Sequence, residues 1–319
     1  MRIFVTGATG VVGRRLVPLL LSAGHAVTAV ARSQEKRAAL ERQGAAAVEV
    51  DLFAAGAVRR AVAGHDAVVN LATHIPPSTL RMLLPGAWWE NDRIRRFASA
   101  ILVDAAIAGG ASRFVQESFA PIYDDQGEAW IDERSSVRPA RNTRSILDAE
   151  RSAARFSETG RVGVVLRFAG FYGLDAFHVH DLARAVQKGF APLPGSSDAF
   201  ISAVSHDDAA TAVVAALSAA SAGVYNVADD EPLRHRAYVD ALADALGVPS
   251  PRLPPSWLGR FMGSPGELLS RSQRISNGKL RGECGWTPRY PSVREGWRAV
   301  VAELRPTPPA GKAAAHGTA

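Results

Sequence analysis

The sequence predicts an α/β protein, a doubly wound parallel sheet followed by a smaller C-terminal α/β part. Two observations carry this. Short β-branched runs alternate with helix-length segments through the first half, the pattern of βαβ units. A glycine-rich turn also joins the first apolar run directly to a helix. The 319 residues, 47% of them hydrophobic, are enough for one large domain or two unequal ones.

The elements follow in order. Strands are expected at Arg2–Val5, His25–Ala31, Ala47–Val50, Ala67–Leu71, Arg113–Gln116 and Gly163–Phe168. Helices are expected at Arg14–Ala23, Gln34–Gln43, Ala54–Ala63 and Ile94–Ala108. Beyond residue 174, Asp175–Ser205 reads as loop-rich, with Pro192, Pro194 and Gly195 close together. A helix at Asp207–Ala219, a strand at Gly223–Val227 and a helix at Tyr238–Leu246 follow. Leu253–Pro265 is broken by prolines and glycines, and a last helix covers Ser292–Leu304. The expected division is 1–173, 174–305 with some elements interleaved with the first part, and a disordered tail at 306–319.

Composition narrows the function. Thirty-seven Lys and Arg against 31 Asp and Glu give +6. The basic residues are scattered, however, and the densest group, Arg93, Arg95 and Arg96, is too small for a nucleic-acid face. Cys284 is the one cysteine, so no internal disulfide and no cysteine-only zinc site can form. No signal peptide and no apolar run of about 18 residues is visible, so a soluble cytoplasmic protein without membrane or nucleic-acid partners is expected.

The chemistry starts at Thr6-Gly7-Ala8-Thr9-Gly10-Val11-Val12-Gly13. Gly7 and Gly10 let backbone N–H groups approach a pyrophosphate at a helix N-terminus, and Gly13 lets helix and strand pack closely. Following a strand and opening a helix, this is a dinucleotide-binding loop of the Rossmann type. An NAD site usually places an acid about 20 residues further on. Here Ala26–Gln34 holds no carboxylate, and Arg32 stands where the acid would be. Arg32, with Arg14 as second candidate, suits a 2′-phosphate, so NADP(H) is the expected cofactor.

The glycine loop resembles that of the short-chain dehydrogenase/reductase superfamily. Asp51-Leu52, Asn70-Leu71-Ala72-Thr73, Arg113 to Ser118, Leu166 to Gly173, Ser205 to Ala209, Val224 to Val227 and Arg274 to Pro288 resemble its extended, epimerase/dehydratase-like branch. The resemblance implies that Gly7, Thr9, Gly10, Val11, Val12, Gly13, Arg14, Arg32, Asp51, Leu52, Leu71, Ala72 and Thr73 bind the cofactor. It also implies a substrate pocket including His74, Phe119, Ala120, Asn142, Ile146, Phe171 and Phe177. That family transfers a proton with a Ser or Thr, a Tyr and a Lys four residues after the Tyr. Asn142 replaces the Tyr, Ile146 the Lys and Phe119 the serine, leaving Ser118 one place early as the remaining catalytic candidate.

Neither Asn nor Ile supplies a proton near neutral pH. The chain is similar to the atypical ketoreductases of angucyclinone biosynthesis. That resemblance implies NADPH-dependent reduction of a bulky polycyclic aromatic ketone, the proton coming from substrate or water. Two alternatives stay open: a non-catalytic NADP(H) sensor, and a sugar-nucleotide epimerase. His178 and His180, in a segment that could fold over the substrate, carry no zinc-protease spacing, and no metal is expected. The oligomeric state is not legible in the sequence.

Overall fold

The computed structural model describes residues 1–76, 78–82, 84 and 86–304. The expected tail at 306–319 lies outside the described residues. In chain order the first half runs β1 (Arg2–Thr6), α1 (Gly13–Ser22), β2 (Ala26–Val30), α2 (Gln34–Arg42), β3 (Ala46–Val48), α3 (Ala55–Val62), β4 (Ala67–Asn70) and α4 (Thr79–Met82). It continues through α5 (Trp89–Arg93), a π-helical turn at Ile94–Ala98, α6 (Ser99–Ala108), β5 (Arg113–Phe119), β6 (Trp130–Ile131), α7 (Ile146–Glu158) and β7 (Val162–Phe168). The second half holds β8 (Gly170–Tyr172), α8 (Phe177–Gln187), β9 (Phe200–Ile201), β10 (Ala203–Ser205), α9 (His206–Ala219), β11 (Gly223–Val227) and β12 (Leu233–Arg234). It closes with α10 (His235–Leu246), α11 (Gly263–Leu269), β13 (Arg274–Ile275), α12 (Gly278–Cys284) and α13 (Val293–Leu304).

Seven parallel strands form one sheet in the order β11-β7-β5-β4-β1-β2-β3. All four residues of β4 are buried, as are six of the seven in β7, because helices cover both faces. One face packs α1 and α9 through Leu16, Val17, Leu20, Val213 and Leu217. The other packs α3, α6 and α7 through Val58, Val62, Leu102, Val103 and Phe156. A separate cluster built on Tyr172, Val179, Leu182, Val239, Leu242 and Trp297 joins α8, α10 and α13.

Three expectations need correction. Residues 175–205 are not mainly loop, since α8 occupies 177–187. Its Val179, Leu182, Ala183 and Val186 fall at i, i+3, i+4 and i+7 and are buried, a helical stripe overshadowed by the prolines that follow. The single helix expected at 94–108 starts earlier and is interrupted by the π turn. Helix α7 was not anticipated as an element, although it buries Ile146, Ala149, Ala153 and Phe156 on one side. The strand at 223–227 is present, and it forms an edge of the main sheet beside β7.

Candidate active site

The glycine loop lies at the carboxyl end of the sheet, where open α/β folds bind ligands. Gly7 has φ +66°, and a Cβ there would stand 2.3 Å from the Leu71 carbonyl oxygen. A Cβ on Gly13 would stand 2.2 Å from the Gly7 oxygen. Both positions therefore require glycine for close backbone approach. Gly10 N–H closes the turn onto the Gly7 oxygen at 2.9 Å, and α1 follows at once, its Arg14 N–H bonded back to the Gly10 oxygen at 3.0 Å. A dinucleotide pyrophosphate fits this cradle.

Asn70, at the end of β4, ties the crevice together. Its Oδ1 accepts from Thr6 Oγ1 at 2.6 Å and from Ala72 N at 3.2 Å. Its Nδ2 donates to Ser99 Oγ and to Gln116 Oε1. Leu71, Ala72 and Thr73 are thereby held beside the glycine loop, with Leu71 and Ala72 buried and His74 exposed. Thr9, Val11 and Val12 lie on the loop itself. Asp51 and Leu52 lie after β3, where the Asp51 carboxylate accepts from Phe53 N at 3.0 Å.

The two arginine candidates differ. Arg32 is exposed at the end of β2 and engages no side chain among the described residues. Arg14 pairs with Asp175 at 3.1 Å. Its neighbour Arg15 binds the same carboxylate at 2.6 Å and also pairs with Asp207. The two arginines thus fasten the start of α1 to the segment before α8. Behind this clasp the His206 imidazole is 2% exposed, and burial pushes it down to about 4. A Cβ on Gly173 would lie 2.4 Å from His206 Nδ1, so this glycine leaves the space the ring fills.

At the other end, Ser118 is 1% exposed and its Oγ donates to Glu150 Oε1 at 2.5 Å. Glu150 in turn accepts both arms of Arg167, at 2.8 and 2.7 Å. The Ser118 proton is committed to that carboxylate. Asn142 lies in the 3₁₀ turn Arg141–Thr143 with its Oδ1 buried and unpartnered, and Ile146 is fully buried at the start of α7. Phe119 is half-buried and Ala120 buried. Phe171 stacks between Phe168 and His206, each 5.4 Å away, while Phe177 opens α8. Ser118, Phe119, Ala120, Asn142 and Ile146 thus belong to adjoining elements, whereas Phe171 faces the clasp.

Other side chains resolve into packing. Tyr123 is fully buried, its hydroxyl donating to Asn226 at 2.8 Å, and burial pushes it up to about 12. His178 and His180 bond to the carbonyls of Phe171 and Leu174. Trp130 lies under the Arg274 guanidinium, 4.1 Å from its ring centre. Among the described residues no cluster of three metal-ligating side chains occurs, and no helix is long and apolar enough to cross a membrane. Sequence reasoning missed the buried pair Arg95–Glu117, 2.9 Å apart, because nothing in the local pattern sets a helix residue against a strand residue.

Residues 7–162 match a family described as NAD(P)H-binding. The chain is 33% identical over 313 residues to a 3-diazoavenalumate denitrifying reductase from a Streptomyces species, spanning 93% of this chain and 99% of that protein. It is 28% identical over 267 residues to a 2-alkyl-3-oxoalkanoate reductase of Stenotrophomonas maltophilia, covering 78% and 77% of the two chains. Its fold is similar to that of a human epimerase family protein solved with NADPH (TM-score 0.79, 21% identity, 95% and 100% covered). It is also similar to the dTDP-glucose 4,6-dehydratase of Streptomyces venezuelae solved with NAD (TM-score 0.77, 22% identity, 95% and 96% covered).

Proposed function

The chain belongs to the NAD(P)-binding, epimerase/dehydratase-like extended short-chain dehydrogenases/reductases, and from that premise we propose an NADPH-dependent ketoreductase that works without a protein acid. Its substrate is a bulky polycyclic aromatic ketone of the angucyclinone type. The observation that carries the reading is the site itself. The chain combines a formed glycine cradle with Asn142 and Ile146, which have no proton to give, and with Ser118, whose proton is held by Glu150. A ketone beside a peri-hydroxyl answers this deficit, because the phenol protonates the oxygen as negative charge develops on it.

When bound, NADPH supplies the hydride. The residues of the chain do the rest. The Gly7–Gly13 loop and the N-terminus of α1 take the pyrophosphate, and unengaged Arg32 takes the 2′-phosphate. Asn70 fixes the path of Leu71, Ala72 and Thr73 along the cofactor crevice. The 3₁₀ turn at 256–262 packs on α11, which touches the turn carrying Asn142. That 3₁₀ turn presents Trp257 and Phe261, 55% and 79% exposed, as an apolar wall suited to a flat ring system. The reductase of 2-alkyl-3-oxoalkanoates among the relatives supports ketone reduction.

A second reading is favoured by the 33% identical relative, namely reductive removal of a diazo group from an aromatic substrate. Hydride addition to an arenediazonium followed by loss of N₂ converts Ar–N₂⁺ and NADPH into Ar–H, N₂ and NADP⁺. No proton is taken up, which also suits a site without an acid.

One experiment separates these readings. The protein is given 4-deuterated NADPH with polycyclic ketones bearing or lacking a peri-hydroxyl, and with an arenediazonium salt, and products are read by mass spectrometry. Deuterium in the hydroxylated ketones supports the first reading, and deuterium in the arene alone supports the second. Cofactor bound with no label in any product would return the chain to a sensor role.

A further inference from the structure

At the carboxyl ends of β4 and β5 lies a polar cluster whose charged pair, Arg95 and Glu117, none of the roles above uses. Arg95 projects from the π turn Ile94–Ala98 with its side chain 4% exposed, and its Nη2 binds Glu117 Oε1 at 2.9 Å. Glu117 is the residue before Ser118, its side chain 13% exposed. Four buried atoms lack partners, three in this cluster (Arg95 Nε, Asn91 Nδ2 and Glu117 Oε2) and one, Asn142 Oδ1, in the 3₁₀ turn Arg141–Thr143. Asn91 is fully buried, and its Oδ1 accepts from His74 N at 2.9 Å, which ties it to the loop after β4.

Three physical arguments assign this cluster to a ligand. Buried polar atoms are almost always satisfied, so four unsatisfied ones at the ligand end of a parallel sheet point to groups that a bound molecule completes. A buried ion pair costs desolvation that an apolar pair would avoid, so its presence here is not explained by stability. A π turn is frequently found at functional sites, and this one carries the arginine. The open atoms are two donors and two acceptors. A hydroxy-ketone offers one acceptor oxygen and one hydroxyl donor, whereas a diazonium group offers no acceptor oxygen.

We propose that Arg95, held in place by Glu117, donates its free Nε–H to the carbonyl oxygen of the substrate and stabilises the negative charge that forms there. This rests on the ketone reading above. The guanidinium gives up no proton. It supplies fixed positive charge in a buried site, where one such donor typically changes turnover by about a hundredfold to a thousandfold. The hydride ends on the carbonyl carbon, the C–O π electrons move to oxygen, and the peri-hydroxyl proton follows them.

The test uses the full chain with NADP⁺ bound and 1,8-dihydroxyanthraquinone as the probe, titrated calorimetrically. Arg95→Lys keeps a cation beside Glu117 but removes the Nε–H. The double variant Arg95→Gln with Glu117→Gln removes the charges together, so that neither is left buried alone. Both should bind the quinone at least about tenfold more weakly, with NADP⁺ affinity and thermal midpoint within error of the parent. In the deuteride assay kcat should fall about a hundredfold with KM changed less. Quinone binding that is equal in parent and Arg95→Lys overturns the proposal, as does a parent that binds no quinone. A parent that binds quinone through Arg95 but transfers no deuteride would instead count against the ketoreductase reading alone.

Discussion

Removing Glu150 should cost more stability than almost any other single charge change in the protein. Its carboxylate is 11% exposed and accepts from Ser118 and from both arms of Arg167, which is itself 7% exposed. In Glu150→Leu the guanidinium keeps, among the described residues, the Tyr123 side chain, whose ring centre lies 4.9 Å away. Two unit charges about 4 Å apart attract by about 4 kcal/mol at an effective dielectric near 20. Breaking a buried pair from one side costs about 3–5 kcal/mol, because the surviving charge stays desolvated. That is a large share of the roughly 5–15 kcal/mol that holds a domain folded. The assay is urea unfolding followed by tryptophan fluorescence and circular dichroism, with the slope checked for constancy. Glu150→Leu combined with Arg167→Met should recover most of the loss, since no charge is left unpaired. A single-variant cost below about 1 kcal/mol, the size seen for exposed pairs, would refute the reasoning. So would a double variant as unstable as the sum of the two singles.

Other outcomes follow from the same geometry. Arg32→Ala should weaken NADPH binding by about tenfold to a hundredfold and leave NADH unchanged, as measured by cofactor fluorescence; equal losses for both would remove Arg32 from the 2′-phosphate. Gly13→Ala sets a methyl group 2.2 Å from the Gly7 oxygen and should cut cofactor affinity by more than about tenfold. Ser118→Ala should leave kcat within a few-fold of the parent, whereas a collapse in kcat would make that hydroxyl the acid. Burial holds both His206 and His235 at about 4, below the roughly 6.5 of an exposed imidazole. The unfolded chain therefore takes up protons that the folded one refuses. Their contribution is present above about pH 6.5 and is lost as the pH falls toward 4, by about 3 kcal/mol per histidine across the window. His206→Gln with His235→Gln should flatten this slope in urea titrations between pH 7 and 5, and an unchanged slope would place the acid sensitivity elsewhere.

The sheet was legible because parallel strands covered on both faces carry continuous apolar runs, as Ala67–Val69 and Val164–Leu166 show. The cofactor loop was legible because Gly7 and Gly13 leave no room for any side chain, a constraint that shows directly in residue identity. Helix α8 was misjudged because Pro192 and Pro194 lie just beyond it and colour the whole segment. The polar connections were out of reach for a different reason. Glu150 meets Arg167, and Arg95 meets Glu117, because a particular helix face lies over a particular strand register. Arg15 meets Asp207 across 192 residues. No local period or motif encodes such meetings, so the site around Asn142 was readable as a list of missing groups but not as the set of charges that stands near them.

The place of β11 governs how the chain can be made. This strand closes the sheet beyond β7, yet about 54 residues separate the two, and at roughly 5–20 residues per second a ribosome needs roughly 3–11 s to synthesise them. Throughout that interval β7 shows a bare row of N–H and C=O groups on an apolar strand, the kind of edge that recruits other chains. A nascent polypeptide is most exposed to aggregation in this window, and slower elongation or warmer growth should lower the soluble yield. Cutting the gene after residue 162, where the sequence match to the cofactor-binding family stops, deletes β7 and β11 together and moves the open edge inward to β5. Such a fragment keeps every glycine of the loop but loses the two strands that cover the β5 edge of its sheet.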